Sequence, residues 1–460
     1  MTAGAATGTA ASRGTAGAWQ RLHPLSPLIR VGRAFVPLVA VLVVPRYGGD
    51  GPTSLFVHLG VVGLAALAGV VSWLVTRWRV EDGTLRVESG LLRRQSQRLP
   101  LSRVQAIDII RPGLARALGL AEVRLRTAGQ EGDAGRLAYL RVDEAERVRA
   151  RLLALAHGVH PDAPAPPEVP LHLQDGGRLV ASVALSRPFA VLAAFAVAVA
   201  VVAVVAPRAV GGLVGASVAY VIAVATLVWR RFNAGFGLRV GEAADGLRLR
   251  SGALETTAET IPRGRVQALV LSEPLAWRPW GWCRLSVDVA GHAKNREERQ
   301  SGTRQLREIV PAGPRVDAER LLDRLLPDRP LRLLPAPARA RWKSPLRYHW
   351  LGMAWNASSV AISGGRVTHR TVWVPLAKVQ SLRLVQGPVQ RRLRLATLHV
   401  DAAGRRVTAS IHDRDVQEAE RLLAELAEAC RRARVPVAPR PPVPRTQPAG
   451  QPAEPTGAAQ

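Results

Sequence analysis

The chain has 460 residues, 48% of them hydrophobic, and carries a formal net charge of +28 at pH 7. This length allows about three domains, and the hydrophobic fraction requires a membrane or large cores. The two cysteines, Cys283 and Cys430, lie in different predicted units, and nothing in their spacing suggests a CxxC motif or metal chemistry. We expect free thiols, as in a reducing cytoplasm.

Four apolar segments predict two transmembrane hairpins. The Ala/Gly/Thr-rich residues 1-24 are expected to be disordered, and the first hairpin follows at 25-77, with apolar stretches at about 30–45 and 54–75. The second hairpin, 183-229, contains stretches at 183–207 and 209–229. All but the first stretch reach the roughly 20 residues that span a bilayer. For 30–45 a signal-peptide core is the alternative, which the closely following second stretch disfavours.

The basic residues beside these stretches predict the orientation in the membrane. The inner flanks contain Arg21, Arg30, Arg33, Arg77, Arg79, Arg187, Arg230 and Arg231, and the outer loops only Arg46 and Arg208. The positive-inside rule therefore places both termini in the cytoplasm. We predict a multi-pass protein of the cell membrane with four spans.

Three β units are predicted at 78-160, 230-330 and 346-435, separated by linkers at 161-182 and 331-345. Apolar residues alternate with polar ones in each unit, so Val123, Leu285 and Leu398 should be buried. One amphipathic helix closes each unit, at about 143–157, 316–326 and 414–433, with Asp143, Asp317 and Asp415 as candidate N-caps. The Pro-rich tail, 436-460, is expected to be disordered.

The β units share an ungapped internal repeat. Copies run over 99–129, 261–291 and 374–404, too far apart for a solenoid. The Gln of each Val-Gln pair is interpreted as a structural hydrogen-bonding group rather than a ligand contact. The repeat signature consists of Pro100, Arg103, Val104, Gln105 and Arg116, then Pro262, Arg265, Val266, Gln267 and Arg278, then Pro375, Lys378, Val379, Gln380 and Arg391.

This signature, with the Gly119-Leu120 corner after Arg116, resembles the bacterial pleckstrin-homology-like membrane protein family of the YdbS/YdbT type. Copy two has Trp282 in place of the leucine, and copy three has Arg394 in place of the glycine. Three such domains in one chain is the YdbT-like arrangement. The resemblance implies PH-like domains, each an antiparallel β sheet or barrel with a C-terminal α-helix. The predicted fold class is a mixed membrane protein with two transmembrane helical hairpins and three repeated PH-like domains.

The basic surface predicts a contact with anionic lipid. Arg93, Arg94 and Arg98 lie on a hairpin shortly after the second span, and each basic residue near such a leaflet contributes about 1 kcal/mol. The equivalent hairpin of unit two carries Glu255 and Glu259, so unit one is the expected lipid contact and unit two should face protein. Codon bias is the alternative, since all but three of the 63 basic residues are arginine.

No catalytic motif is found. GxSxG, HExxH and Walker sequences are absent from the chain, and His349, His369, His399 and His412 match no metal spacing. We therefore predict a non-catalytic scaffold or binding module without cofactor or metal, and the resemblance is compatible with a role in envelope maintenance. Its partners would be membrane lipid and either a second, shorter PH-like membrane protein or another copy of the chain, and not nucleic acid. A transporter or transporter-accessory subunit is the alternative, disfavoured because no span contains Asp or Glu.

Overall fold

The computed structural model describes residues 19–21, 23, 24, 26, 63, 67, 70, 71, 74–81, 84–89, 95–100, 104–127, 136–156, 168–206, 210–243, 246–290, 306–402, 407 and 409–434. Within them the chain forms three β units of the same design. Each unit has four antiparallel strands, then three more, then a closing helix. The predicted repeated units with C-terminal helices are confirmed.

Unit one begins with a two-residue strand and ends with a four-turn helix. It contains β1 (Gln20–Arg21), β2 (Arg77–Glu81), β3 (Thr84–Ser89), β4 (Gln95–Pro100), β5 (Val104–Arg111), α1 (Gly113–Ala117), β6 (Leu120–Thr127), β7 (Arg136–Arg141) and α2 (Val142–Ala156).

Unit two includes the second apolar hairpin. It contains β8 (Val169–Leu173), α3 (Gly176–Ala184), α4 (Arg187–Val205), α5 (Val210–Gly235), β9 (Arg239–Ala243), β10 (Gly246–Ser251), β11 (Thr256–Ile261), β12 (Val266–Pro274), β13 (Trp282–Val289), β14 (Arg307–Pro314) and α6 (Arg315–Leu325).

Unit three has a short helix in place of a hairpin. It contains β15 (Leu334–Pro335), α7 (Ala340–Lys343), β16 (Gly352–Trp355), β17 (Ser359–Gly364), β18 (Thr368–Pro375), β19 (Val379–Val385), α8 (Pro388–Arg392), β20 (Leu395–Ala402), β21 (Ala409–Asp415) and α9 (Val416–Arg434).

The second hairpin is inserted into unit two rather than placed before it. β8 precedes the hairpin helices and pairs with β9, which follows them, with Leu173 opposite Arg239. In unit one, β1 and β2 are likewise paired although residues 22–76 separate them. The predicted linker 161-182 thus contains β8 and most of α3, and the predicted linker 331-345 contains β15 and α7.

The N-terminal segment 1-24, predicted to be disordered, contributes β1. Its two residues pair with β2, and the neighbouring Trp19 ring lies 4.5 Å from the Arg77 guanidinium carbon and 4.7 Å from that of Arg79. Cation–π contacts of this kind stabilise by about 0.5–1 kcal/mol at exposed sites. They hold a strand too short to be recognised from its sequence.

The sheets continue across the unit boundaries. The three last strands of unit one join the four first strands of unit two in the order β7-β6-β5-β11-β10-β9-β8, and units two and three are joined in the same way, in the order β14-β13-β12-β18-β17-β16-β15. A four-stranded sheet, β1-β2-β3-β4, stands at one end of this row and a three-stranded sheet, β19-β20-β21, at the other. The alternation of apolar and polar residues predicted three separate units. In the structure, main-chain hydrogen bonds between strands connect each unit to the next.

Each unit has an apolar core where its sheets and closing helix meet. Val123, Leu285 and Leu398 are each 0% exposed, so their predicted burial is confirmed. Of the predicted caps, Asp415 accepts a hydrogen bond from the Gln417 amide at 3.0 Å. Asp143 and Asp317 lie inside the first helical turn, where a carboxylate favours the positive end of the helix dipole.

Among the described residues, α4 is the one helix that is long and apolar enough to cross a membrane. The mean hydropathy of its 18-residue window is 2.8, and none of that window is buried. α5 packs beside it, with the Phe195 and Tyr220 ring centroids 5.6 Å apart. The first hairpin lies outside the described residues apart from scattered helical positions between 63 and 75. Two complete hairpins are therefore not confirmed, and the four-span topology stays a prediction.

Candidate functional site at the unit junctions

The repeated arginine of the signature binds the following unit. The Arg116 guanidinium donates to the Ala253 carbonyl in unit two. The Arg278 guanidinium donates to the Arg366 carbonyl in unit three at 2.7 Å. Both acceptors lie nine residues before the repeat proline of their own unit. The two junctions are therefore built by the same residues of the repeat.

The paired strands at the two junctions also share one register. At the first junction Ile109 of β5 faces Ala258 of β11, and at the second Leu271 of β12 faces Thr371 of β18. Both aliphatic residues lie nine positions after a repeat proline, and both small residues four positions before one. A large aliphatic side chain thus meets a small one at the same place in each junction.

The end of the second apolar hairpin holds the first junction as well. The Asn233 side-chain oxygen, near the end of α5, accepts hydrogen bonds from the Ala253 and Leu254 amides, both at 3.0 Å. Gly252 in this turn has a φ of +124°, and a Cβ there would lie 1.8 Å from the Glu255 carbonyl oxygen. A turn that only glycine can make is therefore held by unit one and by the hairpin together.

The other residues of the repeat signature differ in their surroundings and in the contacts that they make. Each repeat proline ends a strand or directly follows one. The Lys378 ammonium donates to the Gly264 carbonyl across the second junction at 2.7 Å. Gln267 is buried and donates to the Arg265 carbonyl at 3.3 Å, whereas Gln380 is exposed. Of the remaining residues, Val104, Val266 and Val379 begin strands, and Arg103 lies outside the described residues.

An arginine-lined cleft opens at the first junction, with a volume of about 540 Å³. Its wall contains one carboxylate, that of Glu146, which pairs with Arg111 at 2.8 Å. The arginines of the wall are Arg111, Arg149, Arg239, Arg248 and Arg250. The positive charge of this wall exceeds its negative charge, so the cleft is suited to an anionic group.

Two arginines of the cleft face each other directly. Arg239 of β9 and Arg250 of β10 are cross-strand partners, and both are exposed. Glu168 approaches Arg250 at 3.3 Å. Like charges directly opposite each other destabilise an antiparallel pair. A bound anion between them would remove that repulsion.

The second junction has an aromatic residue at the position of a glycine that lines the cleft. Gly237 lines the cleft, and the equivalent position of unit three is Trp350, each 25 residues before a repeat proline. The Trp350 ring lies 4.3 Å from the Arg278 guanidinium carbon and 5.0 Å from the His369 ring. The two junctions thus differ at this position, with a ring stacked on the repeated arginine in the second and no side chain in the first.

The predicted lipid contacts are only partly described. Arg98 lies exposed on β4, opposite Arg86 of β3, while Arg93 and Arg94 lie outside the described residues. The contrast with an acidic hairpin in unit two was wrong in one respect. Glu259 is 3% exposed and pairs with Arg307 at 3.0 Å, so it presents no free negative charge to a membrane. Only Glu255 of that pair is exposed.

The histidines and cysteines are dispersed. In the described part of the chain, no group of three or more His, Cys, Asp or Glu side chains could hold a metal ion. His399 shares a hydrogen bond with Ser410 at 2.8 Å, and His369 approaches Glu273 at 3.4 Å. Cys283 and Cys430 are free and buried, and burial raises the pKa of the Cys283 thiol to about 12. At neutral pH that thiol is protonated and a poor nucleophile.

Sequence reasoning missed the residues that make the cleft. Arg239, Arg248 and Arg250 alternate with apolar residues along their strands. In the sequence this pattern looks the same as any strand with one face toward solvent. Asn233 lies near the end of an apolar helix, directly after a run of aromatic and basic residues, and this polar residue at the helix end was the signal that the sequence offered. Its partner turn could not be recognised without the fold.

Comparison with known proteins agrees with three related units. A family model described as the bacterial PH domain matches residues 31–156, 181–329 and 333–429, together more than half of the chain. Among curated proteins, the chain is similar to the UPF0699 transmembrane protein YdbT of Bacillus subtilis (strain 168), at 23% identity over 146 residues. That alignment covers 28% of this chain and 28% of the relative.

Proposed function

Because the chain belongs to the bacterial PH domain family, we propose that it is a membrane-anchored, non-catalytic scaffold whose first junction binds anionic lipid headgroups. The observation that carries the proposal is the position of the arginine-lined cleft, where unit one, unit two and the end of the hairpin meet. The exposed apolar helix α4 and the relative's description as a transmembrane protein support the anchor. The strand-paired junctions support the scaffold, because they hold the units in one order.

The cleft is close to the membrane end of α5. Arg230 and Arg231 follow the apolar part of this helix, and the helix itself ends at Gly235. At 1.5 Å per residue, Arg231 lies about 6 Å along the axis from that end. Gly237 and Arg239 of the cleft come directly afterwards. A headgroup beside Arg231 is therefore within reach of the cleft.

The experiment compares lipid retention by the full chain and by Arg239→Gln/Arg250→Gln. The protein is extracted from membranes containing neutral and anionic lipid, and bound lipid is counted by native mass spectrometry. Two lost charges near the leaflet amount to about 2 kcal/mol, so we expect roughly 30-fold weaker retention of anionic lipid. Retention by the wild type should also fall with added salt, because exposed charges are screened.

Arg320→Gln is the matched control, since this arginine is exposed on α6, outside the cleft. Its retention should equal that of the wild type. Arg93→Gln/Arg94→Gln/Arg98→Gln tests the hairpin predicted from the sequence. Loss of lipid in this triple variant alone would move the contact to the hairpin and overturn the assignment to the cleft.

A further inference from the structure

The two ends of the row of units carry the two halves of another junction. β19 is the outer strand of the last sheet, and β4 is the outer strand of the first. Among the described residues no strand pairs with either outer edge. β19 is the counterpart of β5 and β12, which accept a following unit, and β4 is the counterpart of β11 and β18, which bind a preceding one.

The side chains of β19 are less covered than those of its counterparts. Val385 is 46% exposed, whereas Ile110, at the same position of the repeat, is 7% exposed. Leu382 and Leu384 are only partly buried, while Leu269 and Leu271 of β12 are 1% and 3% exposed. An aliphatic strand edge left uncovered and unpaired is a template for another strand.

The repeated arginine of unit three has no junction to hold within the chain. Arg391 is exposed on α8, and among the described residues its guanidinium makes no hydrogen bond. Its counterparts Arg116 and Arg278 each donate to a carbonyl of the following unit. The donor that completes a junction is therefore present at the open end.

The β4 edge has the matching pattern. Ser96 lies four residues before Pro100, at the position of Ala258 and Thr371, so this position is small in all three units. Leu384 lies nine residues after Pro375, at the position of Ile109 and Leu271, so that position is a large aliphatic residue in all three. The pairing of large with small residues seen at both existing junctions is thus available between the two free edges.

We propose that β19 of one copy pairs antiparallel with β4 of a second copy, with Leu384 opposite Ser96 and Arg383 opposite Gln97. Such contacts use two different surfaces and join copies head to tail, into a ring or a filament. The contact is independent of the lipid site proposed above, so failure of either test leaves the other proposal standing.

The test is disulfide cross-linking in the native membrane. Full-length Ser96→Cys and Leu384→Cys copies, carrying tags of different size, are expressed together and oxidised. Opposed residues in an antiparallel pair have Cβ atoms about 4.5–5.5 Å apart. We expect at least tenfold more linked heterodimer than from Gln97→Cys with Leu384→Cys. A shift of one residue turns the side chain to the other face, which makes the second pair the matched control.

Gln97→Cys with Arg383→Cys is a second in-register pair, for the case that Leu384→Cys impairs folding. Heterodimer from either in-register pair above the control supports the proposal. Equal linking in register and out of register would overturn it, as would the absence of linking from both pairs in folded protein. Linking of Leu384→Cys mainly to itself would indicate a β19–β19 contact, and linking mainly to another protein would indicate a different occupant. Either outcome also overturns the proposal.

Discussion

Replacing Arg278 with alanine should loosen the second junction without unfolding the units it joins. The substitution removes the hydrogen bond to the Arg366 carbonyl, 2.7 Å long, and the cation over the Trp350 ring, 4.3 Å away. A hydrogen bond from a charged group contributes about 1.5–3 kcal/mol, and an exposed cation–π contact about 0.5–1 kcal/mol. Because the site is partly exposed, we expect a loss of about 2 kcal/mol in the free energy of opening the junction. The six residue pairs between β12 and β18 remain.

Hydrogen exchange of the full chain measures this opening. Amides of β18 that point toward β12 should exchange roughly 30-fold faster, since about 1.4 kcal/mol corresponds to a factor of ten. Amides in the core of unit one should not change. Arg391→Ala is the matched control, because it removes the same repeat residue where no junction follows within the chain. Unchanged β18 exchange in Arg278→Ala, or the same acceleration in Arg391→Ala, would refute this account of the repeat.

Two further predictions concern the left-handed corner of the repeat and a buried histidine of unit three. Arg394 has a φ of +51°, and the glycines at the same repeat position, Gly119 and Gly281, have +66° and +61°. Glycine adopts this left-handed conformation more readily than other residues, so Arg394→Gly should stabilise unit three by about 0.5–1 kcal/mol in denaturant titrations. For the same reason Gly281→Ala should destabilise unit two. A loss of stability in Arg394→Gly would contradict this. Burial lowers the pKa of His412 from 6.5 to about 4. The unfolded chain therefore binds this proton first as the pH falls, and up to about 3 kcal/mol of stability should be lost between pH 6.5 and 4. His412→Gln should remove that part of the acid sensitivity, whereas His349→Gln, an exposed control, should leave it unchanged; equal acid profiles for all three proteins would count against it.

The units themselves could be predicted from the sequence because their periodicity is local. Alternation around Val123, Leu285 and Leu398 identified strands with one buried face, and all three side chains are buried. The closing helices begin and end within two residues of the predicted bounds, because their apolar stripes repeat along a continuous segment. The ungapped repeat also indicated three copies of one fold.

The connections between units could not be predicted. An alternating strand must have neighbours, but its pattern does not say to which unit they belong. Ile109 reads as a core residue whether its strand pairs within unit one or with β11 of unit two. The partners of the repeated arginines could not be predicted either, because their acceptors are backbone carbonyls, which leave no trace in the sequence. β1 and β15 have two residues each, too few for a period to be visible.

The insertion of the hairpin between β8 and β9 imposes an order on biogenesis. Residues 174–238 must leave the ribosome and form their helices before Leu173 can meet Arg239. The entropic cost of closing so long a loop grows only slowly with its length. The hairpin reduces this cost further, because its two helices bring the ends of the loop close together. Until then β8 remains an unpaired strand, so under the proposed membrane anchoring a hairpin that fails to insert leaves unit two incomplete. Unit three, with only residues 336–351 between β15 and β16, can close without the lipid bilayer. The proposed membrane insertion would thereby be coupled to folding in unit two and separate from folding in unit three.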